Sequence, residues 1–241
     1  GLIKEAMGHI EAAEAIDQNA SGLATMKAQM LALADNTEGA EALLRAETER
    51  RPTVPDTWLD LAQFLMQTGQ ETSARLVLEE GLSQGATGGE IQHNLGAMLA
   101  REGRLPEAAL KLESAYEIEP DLPGLRLQLA QLKLELGDMN EARALLQAEA
   151  DAPAGSTRDA KLLLAQLDLQ QGKLKSASAL TDEVLKQNGD DVEGQVLAYV
   201  IAIKGEGDLK LTRAATIKAL GTRAAVAQVL LEQGILEEAE L

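Results

Sequence analysis

The feature that most limits what this chain can fold into is a 34-residue interval that recurs in several registers at once. Ala6, Ala40, Ala74, Ala108 and Ala142 advance by 34 at every step, and so do Ile10, Leu44, Leu78, Leu112 and Leu146. Gly69, Gly103 and Gly137 keep the interval, and Gly172 follows one residue late. Leu61, Leu95 and Leu129 keep it too, each followed by a small residue (Ala62, Gly96, Ala130), and Leu164-Ala165 continues the series with the same slip. A fixed period of this length marks an array whose units bury their apolar faces against one another.

Each copy reads as two helices. Leu95, Gly96 and Leu99 lie at helical spacing, and Gly103 ends that helix, because glycine tolerates the left-handed backbone of a C-cap. Ala108, Leu112 and Ala115 share one face of a second helix, which Pro106 opens and Pro120 closes. Pro52, Pro55, Pro123 and Pro153 also fall at joints or first turns. Composition agrees: aromatic residues are 2% of the chain, so Leu, Ala, Ile, Val and Met must build the core. Ala and Leu favour helix, and aromatic strand formers are scarce. The small residues Ala62, Gly96, Ala130 and Ala165, with Ala74, Ala108, Ala142 and Ala177, are expected where helices cross closely. A larger side chain there would cost on the order of 1–3 kcal/mol.

This layout resembles the tetratricopeptide repeat. Trp58, Leu61, Ala62, Leu65, Gly69, Ala74 and Leu78 follow its W-x2-L-G-x2-Y … G … A-x3-F order, as do Leu95, Gly96, Leu99, Gly103, Ala108, Leu112, Ala115 and Pro120. Leu replaces Tyr or Phe at several places, a packing substitution. The resemblance covers residues 1 to about 190 and implies an all-α fold, an α-α superhelix or right-handed solenoid of helix pairs. The expected organisation is one solenoid over 1–241. It has a half repeat at 1–20, full repeats at 21–54, 55–88, 89–122, 123–157 and 158–191, and degenerate or capping repeats at 192–241.

Both ends depart from the period. Ala6, Ile10 and Ala13 match a second helix without its first, so the chain is expected to be a trimmed or processed piece of a longer protein. Leu197-Ala198, Ile201 and Gly205 resemble a first helix with no clean second helix after it. Val226-Ala227, Leu230 and Gly234 resemble another first helix, with Ala239 opening its partner.

Residues that would carry catalysis are not brought together. His9 and His93 have no partner at helical spacing to form a metal pair or an acid–base couple. Cysteine is absent, which removes disulfides, thiolate ligands and thiol nucleophiles. Gly85-Ala86-Thr87-Gly88-Gly89 lacks a preceding strand and a GK[ST] ending, and Asn188-Gly189-Asp190-Asp191 lacks alternating ligands and a closing Glu. Both read as joints between repeats. The expectation is a chain that is not an enzyme and uses no metal or cofactor.

What remains is binding. The resemblance implies that first helices line a concave groove through the second, fifth, ninth and twelfth positions of each repeat. The fifth, ninth and twelfth positions read Leu59, Gln63, Met66; Leu127, Gln131, Leu134; and Leu162, Gln166, Leu169, while the third copy has His93, Ala97 and Ala100. Leu and Met offer apolar contact, and each Gln both donates and accepts hydrogen bonds, so the groove is expected to hold a peptide or helix of a partner protein. The alternative is that these leucines are core. Asp56, Glu90 and Asp159, at the second position, read as acids favouring helix N-termini.

A formal net charge of -17 disfavours nucleic acid and anionic lipid, and favours a neutral or basic protein partner. Leu59 and Gln63 stand where chaperone-tail clamps of this family carry Lys and Asn, which argues against an acidic tail as ligand. No apolar run approaches the roughly 18 residues that span a bilayer. Three contexts stay open: a generic scaffold, a periplasmic arm of a bacterial exopolysaccharide-export or pilus-assembly machine, and a regulatory repeat region of a larger enzyme. Cytoplasm and periplasm both fit.

Overall fold

The structure is a computed structural model that describes residues 2–17, 22–152, 157–205 and 207–221. Among these residues it is all-α, and its helices run α1 (Leu2–Ile16), α2 (Leu23–Leu33), α3 (Thr37–Arg50), α4 (Pro55–Gln67), α5 (Glu71–Ser83), α6 (Gly89–Arg101), α7 (Leu105–Ile118), α8 (Leu125–Leu136), α9 (Met139–Asp151), α10 (Thr157–Gln170), α11 (Leu174–Gln187), α12 (Val192–Ile203) and α13 (Leu209–Leu220). Contacts divide the chain into two compact units, Gly1–Leu125 and Arg126–Leu241.

In the first unit α2 pairs with α3, α4 with α5 and α6 with α7, while α1 lies on α2. Pairs are joined through α3 on α4 and α5 on α6, and the first helices α4 and α6 also touch. The periodic alanines are the crossing points: Ala40, Ala74 and Ala108 are completely buried, and Leu44, Leu78 and Leu112 are at most 2% exposed. One apolar cluster runs from Ala28 on α2 to Met98 on α6 and includes Trp58, whose Nε1 donates to the Pro52 carbonyl at 2.8 Å. In the second unit α9 packs on α10, α10 on α11, α11 on α12 and α12 on α13, with α10 touching α12. Its cores gather around Leu162, Ala165 and Leu197, and around Tyr199 and Val200.

The helix-ending glycines share one geometry. Gly69, Gly103, Gly137 and Gly172 have φ of 78, 76, 88 and 73°. At each, the next residue's N–H reaches back to a carbonyl five residues earlier: Gln70 to Leu65 and Asp138 to Lys133 at 2.8 Å, Arg104 to Leu99 at 3.0 Å, Lys173 to Asp168 at 2.8 Å. This closes the last turn and turns the chain into the second helix. The first repeat makes the same turn with Asp35 in the glycine place, at φ 59°, and Asn36 N–H bonds Leu31 O at 2.9 Å. Helix starts are capped from the side chain by Asn36, Asp191 and Asp208, which accept from Gly39, Gly194 and Leu211 N–H at 3.0, 2.9 and 2.9 Å.

The stretch after Gly205 differs from the sequence expectation, because a second helix, α13, does follow α12. Asp208 starts it, and Thr216 Oγ1 ties it to α12 by donating to the Gln195 carbonyl at 2.9 Å. Leu211, 68% exposed, stands 34 positions after the buried Ala177, so the register's small residue is absent there. Pro153 and the segment containing Val226, Leu230, Gly234 and Ala239 lie outside the described residues. Within those residues no helix is long and apolar enough to cross a membrane.

Candidate functional site: a groove between α4 and α6

The inner face of α4 and the start of α6 enclose a groove of about 590 Å³. Its floor is Ala62 and Leu78, both buried, and its apolar walls are the half-buried Leu59 and Met66, which lean on the same core. Helical spacing sets these on one side: Leu59, Ala62, Gln63, Met66 and Gln67 recur at three- and four-residue steps. Gln63 and Gln67 on α4 and Glu90 and Asn94 on α6 form the exposed polar rim. Asn94 Nδ2 donates to the Glu90 carbonyl at 2.8 Å, which leaves its Oδ1 as an acceptor. Among the described residues the side chains of Gln63, Gln67 and Glu90 make no hydrogen bond or ion pair, and no Lys, Arg or His lines the groove.

The residues singled out in the sequence divide accordingly. Leu59, Gln63 and Met66 line this groove together. His93, half-buried on α6, is not among its lining residues, and neither are Ala97 and Ala100. In the second unit Leu127 and Leu134 on α8 are half-buried and Gln131 is exposed; on α10 Gln166 and Leu169 are half-buried. Leu162 departs from the expectation of an open groove leucine. It is 1% exposed and packs with Ala165, Ala177, Val184, Leu197 and Ile201, so it belongs to the core. Gln67 and Asn94 join the site without having been marked by the 34-residue registers, and Glu90, read in the sequence as a second-position acid favouring a helix N-terminus, stands on its rim. Their signal is one helical turn: Gln67 follows Gln63, and Asn94 follows Glu90, by four residues.

A second, smaller cavity of about 270 Å³ opens on the other flank of α4, between α2 and Asp56 and Asp60. Here Thr25 Oγ1 donates to Asp60, joining α2 to α4. Burial raises the Asp60 carboxyl above its ordinary range against that hydrogen bond, and the nearby Asp56 and Glu47 raise it further. The cations of this cavity are occupied: Lys27 pairs with Glu14 at 2.9 Å, and Arg50 and Arg51 pair with Glu47 at 2.6 and 3.4 Å. Among the described residues no cluster of His, Asp or Glu is arranged to hold a metal ion.

Comparison with known proteins gives the fold its family. Residues 99–158 match the tetratricopeptide repeat family model. No curated protein matches the chain in sequence. Among solved structures the chain is similar to a tetratricopeptide repeat protein from Parabacteroides merdae, with TM-score 0.65, 16% identity, 90% of this chain and 88% of that one covered. It is similar to YrrB, described as a TPR protein with an unusual peptide-binding site, with TM-score 0.60, 17% identity, 81% of this chain and 97% of that one covered. It is also similar to PilW, described as a widely conserved type IV pilus biogenesis factor, with TM-score 0.59, 19% identity, 92% of this chain and 97% of that one covered. Residues 99–158 thus carry a tetratricopeptide repeat, and the flanking helix pairs that keep its period and its glycine turns give the described residues a tetratricopeptide-type fold.

Proposed function

We propose that the chain is a non-catalytic scaffold that holds a peptide or helix of a partner protein in the groove between α4 and α6. One observation carries this reading: a 590 Å³ groove with an apolar floor and a rim where, among the described residues, the Gln63 and Gln67 carboxamides bond nothing within the chain. An apolar seat supplies affinity, and carboxamides that both donate and accept can follow a partner's backbone. Leu127, Gln131, Leu134, Gln166 and Leu169 are proposed as further contacts in the second unit; Leu162 supports that unit from its core. The peptide-binding site described for YrrB supports the same use of the fold. The likeness to PilW favours a second reading of the setting, in which the scaffold serves a bacterial pilus-assembly machine.

Site-specific photocrosslinking in the source organism tests the site. A photoreactive phenylalanine analogue is placed at Gln63, at Gln67 or, as a control outside the groove, at the 66% exposed Leu110 of α7. A partner protein crosslinked from Gln63 and Gln67 and not from Leu110 is expected. Crosslinks from Leu110 alone would place the interface elsewhere and refute the groove.

A further inference from the structure

The groove's hydrogen-bonding balance is one-sided, and this says what kind of segment it takes. Glu90 brings two carboxylate oxygens with no donor among the described residues. Asn94 has spent part of its amide on the Glu90 carbonyl, so what it offers is chiefly an acceptor. Gln63 and Gln67 can act in either sense, and no cationic side chain lines the groove to receive an acidic ligand. The rim is therefore rich in acceptors, one of them charged, around an apolar seat made by Leu59, Ala62 and Met66. A partner carboxylate entering here would be desolvated beside Glu90 with no counter-charge. A partner ammonium or guanidinium would meet the one charge the groove presents, in a chain whose formal net charge of -17 steers cations toward it.

Resting on the groove reading above, we infer that the α4–α6 groove selects basic segments: an aliphatic side chain seats between Leu59 and Met66 while a Lys or Arg side chain of the same segment reaches Glu90. The apolar seat provides most of the affinity, and Glu90 provides the selection.

A random dodecapeptide library displayed on phage, selected on the full chain, supplies the probe. Enriched peptides are synthesised and titrated against the parent, Glu90→Gln, Glu90→Lys and Met66→Glu, each shown helical by circular dichroism. Glu90 is exposed, so neither of its substitutions disturbs the core. Enriched sequences that pair an aliphatic residue with Lys or Arg support the inference. Their affinity should fall about tenfold in Glu90→Gln, the size of one charge-assisted hydrogen bond, fall further in Glu90→Lys, and weaken with added salt. Peptides lost in Met66→Glu but acidic, or indifferent to Glu90→Gln, overturn the basic selection and leave the groove standing. Peptides indifferent to every groove substitution, or no enrichment at all on folded protein, overturn both.

Discussion

Gly96 sits where α6 packs tightly against α7, and replacing it with alanine sets two effects of opposite sign against each other. In a helix interior alanine is favoured over glycine by roughly 0.5–1 kcal/mol, since glycine has more backbone freedom to lose. Against this, a Cβ at residue 96 would lie 2.6 and 2.7 Å from Leu112 Cδ2 and Cγ and 3.2 Å from the Ala108 carbonyl oxygen. Comfortable carbon contacts begin near ~3.5 Å. Leu112 is 1% exposed and Ala108 completely buried, so neither has space to retreat and α7 must move as a body. Overpacking of this kind costs about 1–3 kcal/mol, and it wins: Gly96→Ala should lose about 1–2 kcal/mol net.

Gly8 on α1 provides the control, because a Cβ there meets nothing within 4 Å, and Gly8→Ala should gain roughly 0.5–1 kcal/mol. Urea unfolding followed by far-ultraviolet circular dichroism reads both. Arrays unfold in stages, so amide hydrogen exchange should accompany it and show the loss centred on α6 and α7. Leu112→Val should partly rescue Gly96→Ala, so that the double variant loses less than the sum of the singles. If Gly96→Ala matches or exceeds the parent, the two helices are not held at the separation that this steric reasoning requires.

Asp35→Gly should stabilise the chain by about 1 kcal/mol in the same urea assay, because it relieves a left-handed residue that the other repeats fill with glycine. Asp60→Asn should be as stable as the parent at about pH 3 and more stable at about pH 7. A carboxyl raised in the native state stabilises below its unfolded value of about 3.9, and loses that contribution as pH rises through the native one. Asp191 behaves oppositely. The Arg158 guanidinium, bonded to it at 2.7 and 2.9 Å, holds its carboxyl below the ordinary range. Its contribution is thus present above about pH 3.9 and lost as pH falls through the native value. Asp191→Asn keeps the Gly194 cap, so thermal unfolding should show a loss of about 1 kcal/mol at about pH 7 that shrinks as pH falls through the native value.

Much of the fold was legible because its signals are local or strictly periodic. The alanine and glycine registers mark helix crossings and helix ends, and both need a particular size or φ regardless of what surrounds them. Three features were not legible in this way. Asp35 occupies a glycine place, so the first repeat's turn carries no glycine to see. The α13 helix lacks the alanine register and is placed by the Asp208 cap and by its packing on α12. The rim residues Gln67 and Asn94 are polar and fall between the registers, and only the approach of α4 to α6 brings them together with Glu90, which the sequence marked as an acid at a helix N-terminus.

The divergence between Leu59 and Leu162 has the same origin, because the two hold equivalent places in their repeats yet one walls a groove and the other is core. What differs is the helix that arrives next. The residue 35 positions beyond Leu59 is Asn94, whereas 35 beyond Leu162 is Leu197. A polar residue facing an apolar one cannot be sealed against it without losing hydration, so α6 leaves Leu59 half-open and keeps Asn94 at the rim. Leu197 and Ile201 of α12 close over Leu162 with no such cost. The sequence of α12 carries the cue, since its run from Val196 to Ile203 (Val-Leu-Ala-Tyr-Val-Ile-Ala-Ile) is apolar on every side, as in a helix buried all round. A groove residue in such an array is therefore identified by its own position together with the polarity of its neighbour one repeat on. By that criterion Leu197→Asn should open Leu162 to solvent, destabilise the second unit by about 2–4 kcal/mol in urea unfolding, and leave the α4–α6 groove unaffected.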